Sequence, residues 1–152
     1  NCNLFLKQII EEEKMNFAEK GLDLKLSIVK EKVYVNADSE LMARAINNLL
    51  SNALKYSKEN TEVNVIMDTE TYNKKTYVTI SVLNISNEKV NKDDIKRFFK
   101  RLYKSEKGRN SEGNGLGLNI TEEIMKLNNG FIRGQTLDNT IIFKLGFVKV
   151  EK

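Results

Sequence analysis

Asn48, Asn52 and Lys55 recur at intervals of four and three residues in the segment 38–57, "DSELMARAINNLLSNALKYS". At about 100° of helical turn per residue, they and Arg44 fall within about 80° of one another, opposite an apolar stripe. Leu41, Met42, Ala45, Ile46, Leu49, Leu50 and Ala53 make up that stripe. Asn is a mediocre helix former, so two of them one turn apart are not chosen for propensity. An amide carbonyl is a neutral oxygen ligand of the kind Mg²⁺ accepts, usually beside water and substrate phosphates. A lysine one turn on can meet a phosphate oxygen as a point charge. Taken alone, the strip also fits an ordinary solvated helix face.

A second stretch bears on the same chemistry. "EGNGLGLNI", residues 112–120, alternates three glycines with Asn and Leu ahead of a helical pattern. Glycine-rich turns before helices often hold phosphates, because backbone N–H groups converge there. No Lys-Ser/Thr follows, as a P-loop requires, and the spacing is not the dinucleotide-binding G-x-G-x-x-G.

Composition removes several chemistries. The chain has no histidine, no proline and one cysteine, Cys2. A histidine general base, a Ser-His-Asp triad, a Cys-rich zinc site and an internal disulfide are therefore excluded. The single cysteine suits a reducing compartment and reads as inert. At 152 residues the chain predicts one domain over 1–152. It opens at Asn1 directly into a helical pattern, which reads as a piece of a longer protein. The net charge of +4 is uneven, since residues 89–109 hold nine Lys/Arg against three Asp/Glu, a local +6, leaving −2 elsewhere. Such a block suits nucleic acid, a solvated face or a polyphosphate ligand. No stacking-aromatic motif favours nucleic acid, and none is expected as a partner.

The elements that must position these residues are legible from periodicity. Residues 4–20 predict a helix stopped by Gly21, and "LDLKLSI" (22–28) alternates as a half-buried strand. "VYV" (33–35) is its expected hairpin partner. Asp38 is the expected N-cap of the helix to Ser57. "TEVNVIM" (61–67) and "TYVTISVLN" (76–84) predict strands joined by a turn at 72–75. Asp93 or Asp94 is the expected cap of a short helix to Tyr103, and 104–114 a polar, mobile segment. Leu116–Leu127 predicts a helix ended by Asn129-Gly130, and the chain closes as a hairpin around 137–139. Strands and helices mix without βαβ alternation, so the expected fold is an α/β two-layer sandwich. Its sheet is mixed and mostly antiparallel, with about three main helices on one face.

In combination, "NNLLSNALKYS" (47–57) resembles the N box of bacterial sensor histidine kinases, and "GNGLGL" (113–118) resembles their second glycine box. "FFKRLY" (98–103) resembles the aromatic box between them, and "VLNIS" (82–86) stands where the first glycine box belongs. The resemblance covers essentially the whole chain. It implies the Bergerat ATP-binding fold, with ATP and Mg²⁺ as ligands. It implies Asn52 as the Mg²⁺ ligand, Asn48 and Lys55 against the phosphates, and Tyr56 near the sugar or base. Residues 104–114 would form a lid. Gly113, Gly115, Leu116, Gly117 and Leu118 would meet the phosphates, and Thr140 the adenine. The implied activity is transfer of the ATP γ-phosphate to a histidine on a separate dimerisation domain, for onward passage to a response regulator. The implied location is the cytoplasmic part of a membrane-anchored sensor.

Two departures stand out. Hydrolytic relatives carry Glu at the first N-box position, where this chain has Asn48. An amide cannot take a proton, which argues against activated water and suits an already nucleophilic histidine nitrogen. The usual D-x-G-x-G of the first glycine box becomes Asn84-Ile85-Ser86-Asn87-Glu88. The resemblance implies an adenine contact there: the usual Asp accepts from the adenine amine, whereas Asn84 accepts through its carbonyl or donates through its amide, so weaker selectivity for adenine over guanine is the expectation. That alteration keeps a second reading open, a catalytically degenerate scaffold with weak or no nucleotide binding.

Overall fold

The computed structural model describes residues 1–87, 91–98 and 114–151. Four helices among them lie on a mixed six-stranded sheet, in the chain order α1 (Cys2–Glu19), β1 (Asp23–Ile28), β2 (Tyr34–Val35), α2 (Ser39–Tyr56), β3 (Glu62–Tyr72), β4 (Lys75–Ile85), α3 (Lys92–Phe98), α4 (Asn114–Leu127), β5 (Phe131–Leu137) and β6 (Thr140–Val150). The sheet order is β1-β3-β4-β6-β2, and β5 also pairs with β6. Only the β1–β3 pair is parallel among the described strands.

Register assigns the two faces. Met67 opposes Ile80, Val65 opposes Val82, and Ile80 and Val82 oppose Leu145 and Phe143 across the next ladder. These side chains are buried under the helices. The alternate set, including Ile66, Ser81, Leu83, Ile142 and Lys144, faces away from them. Burial of one face only, with period two, is what holds each strand in register. Leu6, Ile10 and Phe17 of α1, Ile46, Leu49 and Leu50 of α2, and Leu118, Ile124 and Met125 of α4 supply the opposing layer.

Local chemistry fixes the ends. The β3–β4 hairpin turns through Asn73 and Lys74 at φ +48° and +66°, the paired left-handed geometry that matches strand twist. Asn129 at φ +58° stops α4, and Gly130 then passes so close to β6 that a Cβ would lie 2.2 Å from the Gly146 carbonyl oxygen. Any side chain at Gly130 would force the helix off the sheet.

Three expectations are corrected. β2 is not the hairpin partner of β1: Tyr34 and Val35 pair with Val150 and Lys149 of β6, and β1 instead gains a parallel partner in β3. The intervening residues are clipped to α1. Asn3 donates to the carbonyls of Val29 and Glu31 and accepts from the Val33 N–H, so 29–33 cannot fold back as a tight turn. α3 is capped by Asn91, not by an aspartate, through a reciprocal pair in which Asn91 accepts from Asp94 N–H and Asp94 from Asn91 N–H. α4 begins at Asn114, so Gly115 and Gly117 lie in its first turn and not in the preceding loop. Residues 99–113 lie outside the described residues, with most of the aromatic box, the expected end of α3 at Tyr103, Gly113 and all of the expected lid but Asn114, which opens α4.

Candidate functional site

α2 places the polar strip. Asp38 caps it, accepting from the N–H groups of Glu40 and Leu41 at 2.9 and 3.1 Å. The stripe from Met42 to Ala53 is buried, which turns the other side of the helix outward. Asn48, Asn52 and Tyr56 are half-buried on that side and Lys55 is exposed. Tyr56 also packs partly against the core.

α4 lies alongside α2, joined to it by two polar links. The Asn48 amide donates to the Thr121 hydroxyl at 3.0 Å. Asn128 accepts from the Asp38 N–H at 3.1 Å while its own amide donates to the Ile124 carbonyl. The helix opened by the glycine-rich stretch is thus tied to the asparagine strip at Thr121, and the residue after its end to the cap of α2. Thr121 is wholly buried. Neither Thr121 nor Asn128 stands out in the sequence. The signal for Thr121 is one hydroxyl at helical spacing among Leu118, Ile124 and Met125; Asn128 hides within a helix-stop sequence.

Leu118 is buried in the core, so its part at any ligand is played by backbone. Gly115, Leu116 and Gly117 form the start of α4 beside it.

The far end of the strip is closed by β4. The Lys58 N–H donates to the Ile85 carbonyl at 2.8 Å, Ser57 bridges Ser86, and the Ser86 N–H donates to the Asn139 carbonyl at 2.7 Å. The altered box is therefore held as sheet, pinned between the end of α2 and the β5–β6 turn. Asn84 opposes buried Ile141 on the helix-covered face and is itself 4% exposed. Its Nδ2 is buried without a hydrogen-bond partner, alone in this among the described side-chain atoms. Thr140 opposes Ile85, one step out of phase, so its side chain belongs to the other face. The fold thus gathers Asn48, Asn52, Lys55, Tyr56 and Asn84 along one side, and leaves Thr140 across the sheet.

Among the described residues no group of three His, Cys, Asp or Glu side chains forms a metal cage. A hard cation here would take its oxygens from an asparagine carbonyl, water and a phosphorylated ligand, which fits Mg²⁺ better than a dedicated metal site. Cys2 lies away from this region, and burial pushes its thiol up to about 11, so it stays protonated and inert near neutrality.

Residues 37–148 match the family described as histidine kinase-, DNA gyrase B- and HSP90-like ATPase, and the chain belongs to that family. It is 33% identical over 141 residues to the heme sensor protein HssS of Staphylococcus epidermidis, covering 92% of this chain and 29% of that one. It is 30% identical over 146 residues to the sensor histidine kinase YvrG of Bacillus subtilis, covering 92% of this chain and 24% of the relative. The chain thus spans less than a third of the length of these relatives. In fold it is similar to the catalytic domain of histidine kinase ThkA, with TM-score 0.80, 20% identity, and 97% and 92% of the two chains covered. It is also similar to full-length ShkA solved with AMPPNP, with TM-score 0.77, 19% identity, and 100% of this chain but 31% of that one covered. These matches place the chain on the ATP-binding catalytic part of sensor histidine kinases, the expected α/β two-layer sandwich.

Proposed function

We propose that this chain binds magnesium–ATP along the α2 strip and passes the γ-phosphate to a histidine side chain supplied by another domain. The observation that carries the proposal is the half-buried pair Asn48 and Asn52, one turn apart, with Asn48 bonded to Thr121 in the middle of α4. The Asn52 carbonyl is the ligand offered to Mg²⁺, which when bound would neutralise phosphate charge. Lys55 offers a positive charge one turn on, and the first-turn N–H groups of α4 offer further donors to phosphate oxygens. Gly113, outside the described residues, and Gly115 and Gly117 allow close backbone approach. Tyr56 lies on the route towards sugar and base.

Such a transfer is mostly positioning and charge neutralisation. Asn48 suits the task because its amide orients without abstracting a proton. A neutral histidine nitrogen already carries its lone pair and needs little help from a base. The chain contains no histidine, so the acceptor is a dimerisation and phosphoacceptor domain elsewhere, from which a response regulator takes the phosphoryl group. In this reading the domain is the cytoplasmic part of a membrane-anchored sensor, on the side where ATP is available.

A specific feature favours a second reading: the 84–86 segment is locked into sheet pairing where the glycine box it stands in for reads Asp-x-Gly. In that reading the chain is a degenerate scaffold. Titration with ATP and ADP, with and without Mg²⁺, separates the two. Magnesium-dependent micromolar affinity, reduced by about 100-fold in Asn52→Ala on the scale of a lost metal partner, is the expected result. A folded sample that binds neither nucleotide overturns the kinase reading in favour of the scaffold.

A further inference from the structure

A buried hydrogen-bond donor without a partner calls for an explanation, because native structures leave few of them. The Asn84 amide is such a group. It stands at the penultimate residue of β4, on the helix-covered face, where the end of α2 is bonded to Ile85 and Ser86. From Asn48 to Tyr56 the α2 axis rises about 12 Å, close to the span from a terminal phosphate to a base. In the nucleotide reading proposed above, with phosphates at Asn48 and Asn52 and the base towards Tyr56 as the family resemblance implies, the base comes to this end.

An amide has a property that a carboxylate lacks. Turning it by a half-revolution about χ2 exchanges N–H for C=O in nearly the same volume, and that torsion is roughly two-fold. The base edges of the purines differ in the same sense. Adenine presents an exocyclic N–H donor beside a ring-nitrogen acceptor. Guanine and hypoxanthine present a carbonyl acceptor beside a ring N–H donor. In one orientation an amide satisfies the first pair, in the other the second. Among the described residues the Asn84 Nδ2 has no hydrogen-bond partner that would hold the amide in one of them.

We propose that Asn84 makes this a site of broad purine specificity, accepting guanosine and inosine triphosphates as well as ATP. The inference rests on the nucleotide reading above and deepens it. The test is equilibrium titration of the chain with the magnesium complexes of ATP, GTP and ITP, repeated on Asn84→Asp. The wild-type affinities for ATP and GTP are expected within about tenfold of each other, whereas a site built for one hydrogen-bond pattern rejects the other by far more. In Asn84→Asp, an acceptor-only side chain, GTP and ITP affinity falls at least about tenfold relative to ATP. Wild-type binding of ATP with GTP weaker by about 100-fold or more overturns the inference and leaves the kinase reading intact. An unchanged ratio in a folded Asn84→Asp overturns it likewise. If that variant does not fold, the wild-type ratio decides. Failure of all three nucleotides to bind overturns both readings together.

Discussion

The two ends of the α2 strip solve the problem of buried polarity in opposite ways. At the Asn48 end the amide is paired, donating to a wholly buried threonine on the neighbouring helix. At the Asn84 end a buried amide nitrogen has no partner. The first arrangement contributes to the stability of the free protein and fixes a side chain in advance of any ligand. The second detracts from it, because a buried group without its bond retains its desolvation cost, typically about 1–3 kcal/mol. A polar group kept at that cost is best explained by a ligand that completes it. The same reasoning separates pre-organisation from recognition: one end is built to hold geometry, the other to wait for a partner.

The strongest way to break this contrast is at Thr121. Thr121→Val keeps the volume and removes the hydroxyl. It is expected to destabilise the domain by about 1 kcal/mol, the typical net worth of one intramolecular hydrogen bond. Magnesium–ATP affinity should fall by about tenfold, equivalent to about 1.4 kcal/mol, as Asn48 loses its fixed orientation. Thr121→Ser should restore both. Denaturant unfolding and nucleotide titration of the three proteins read the result. An unaltered affinity in the valine variant would show that the Asn48–Thr121 bond joins two helices and organises nothing more.

The opposite sign is expected at the other end. Asn84→Val removes the unpartnered amide and places a β-branched residue in a strand. The free protein should gain about 1 kcal/mol, read from the denaturation midpoint, while nucleotide affinity drops. Stability bought at the expense of binding is the signature of a functional polar group. A variant that loses stability would mean that the Asn84 amide has partners in solution, and the contrast between the two ends would fall.

The sequence shows these two ends unequally. The helix of the strip was legible because its stripe, Met42 to Ala53, has unambiguous 3.6-residue periodicity and Asp38 is a strong cap. The hairpin turns at 73–74 and 138–139 were legible from their residue types. The place of β2 was not: two residues carry no periodicity, and their partner in β6 lies over a hundred positions away. Pairing through Asn3 across 26 to 30 residues is equally silent in the sequence. At the site, the spacing of Asn48, Asn52 and Lys55 could be read directly. The burial of Asn84 and the opposite facing of Thr140 depend on the β4–β6 register, which pattern alone leaves undetermined to within one residue.

The smallest effect sharpens the contrast from outside it. On the open face of the sheet, Glu70 accepts from Lys144 at 2.9 Å and lies 3.5 Å from Arg133, whose guanidinium sits 4.3 Å from the Phe131 ring centre. The Lys144 hydrogen bond holds the Glu70 carboxyl below its ordinary value of 4.5. Folding therefore favours the charged form, so this contribution is present above pH 4.5 and is lost as the pH falls through the lower folded value. The side chains remain about a third exposed, where water screens most of the attraction. Glu70→Gln should cost no more than about 0.5 kcal/mol at neutral pH and flatten the acid limb of the stability profile. Nucleotide affinity should stay unchanged, because the cluster and the strip lie on opposite faces of the sheet. A shift in affinity in this variant would mean that the sheet transmits charge from its open face to the groove, and that neither end of α2 acts alone.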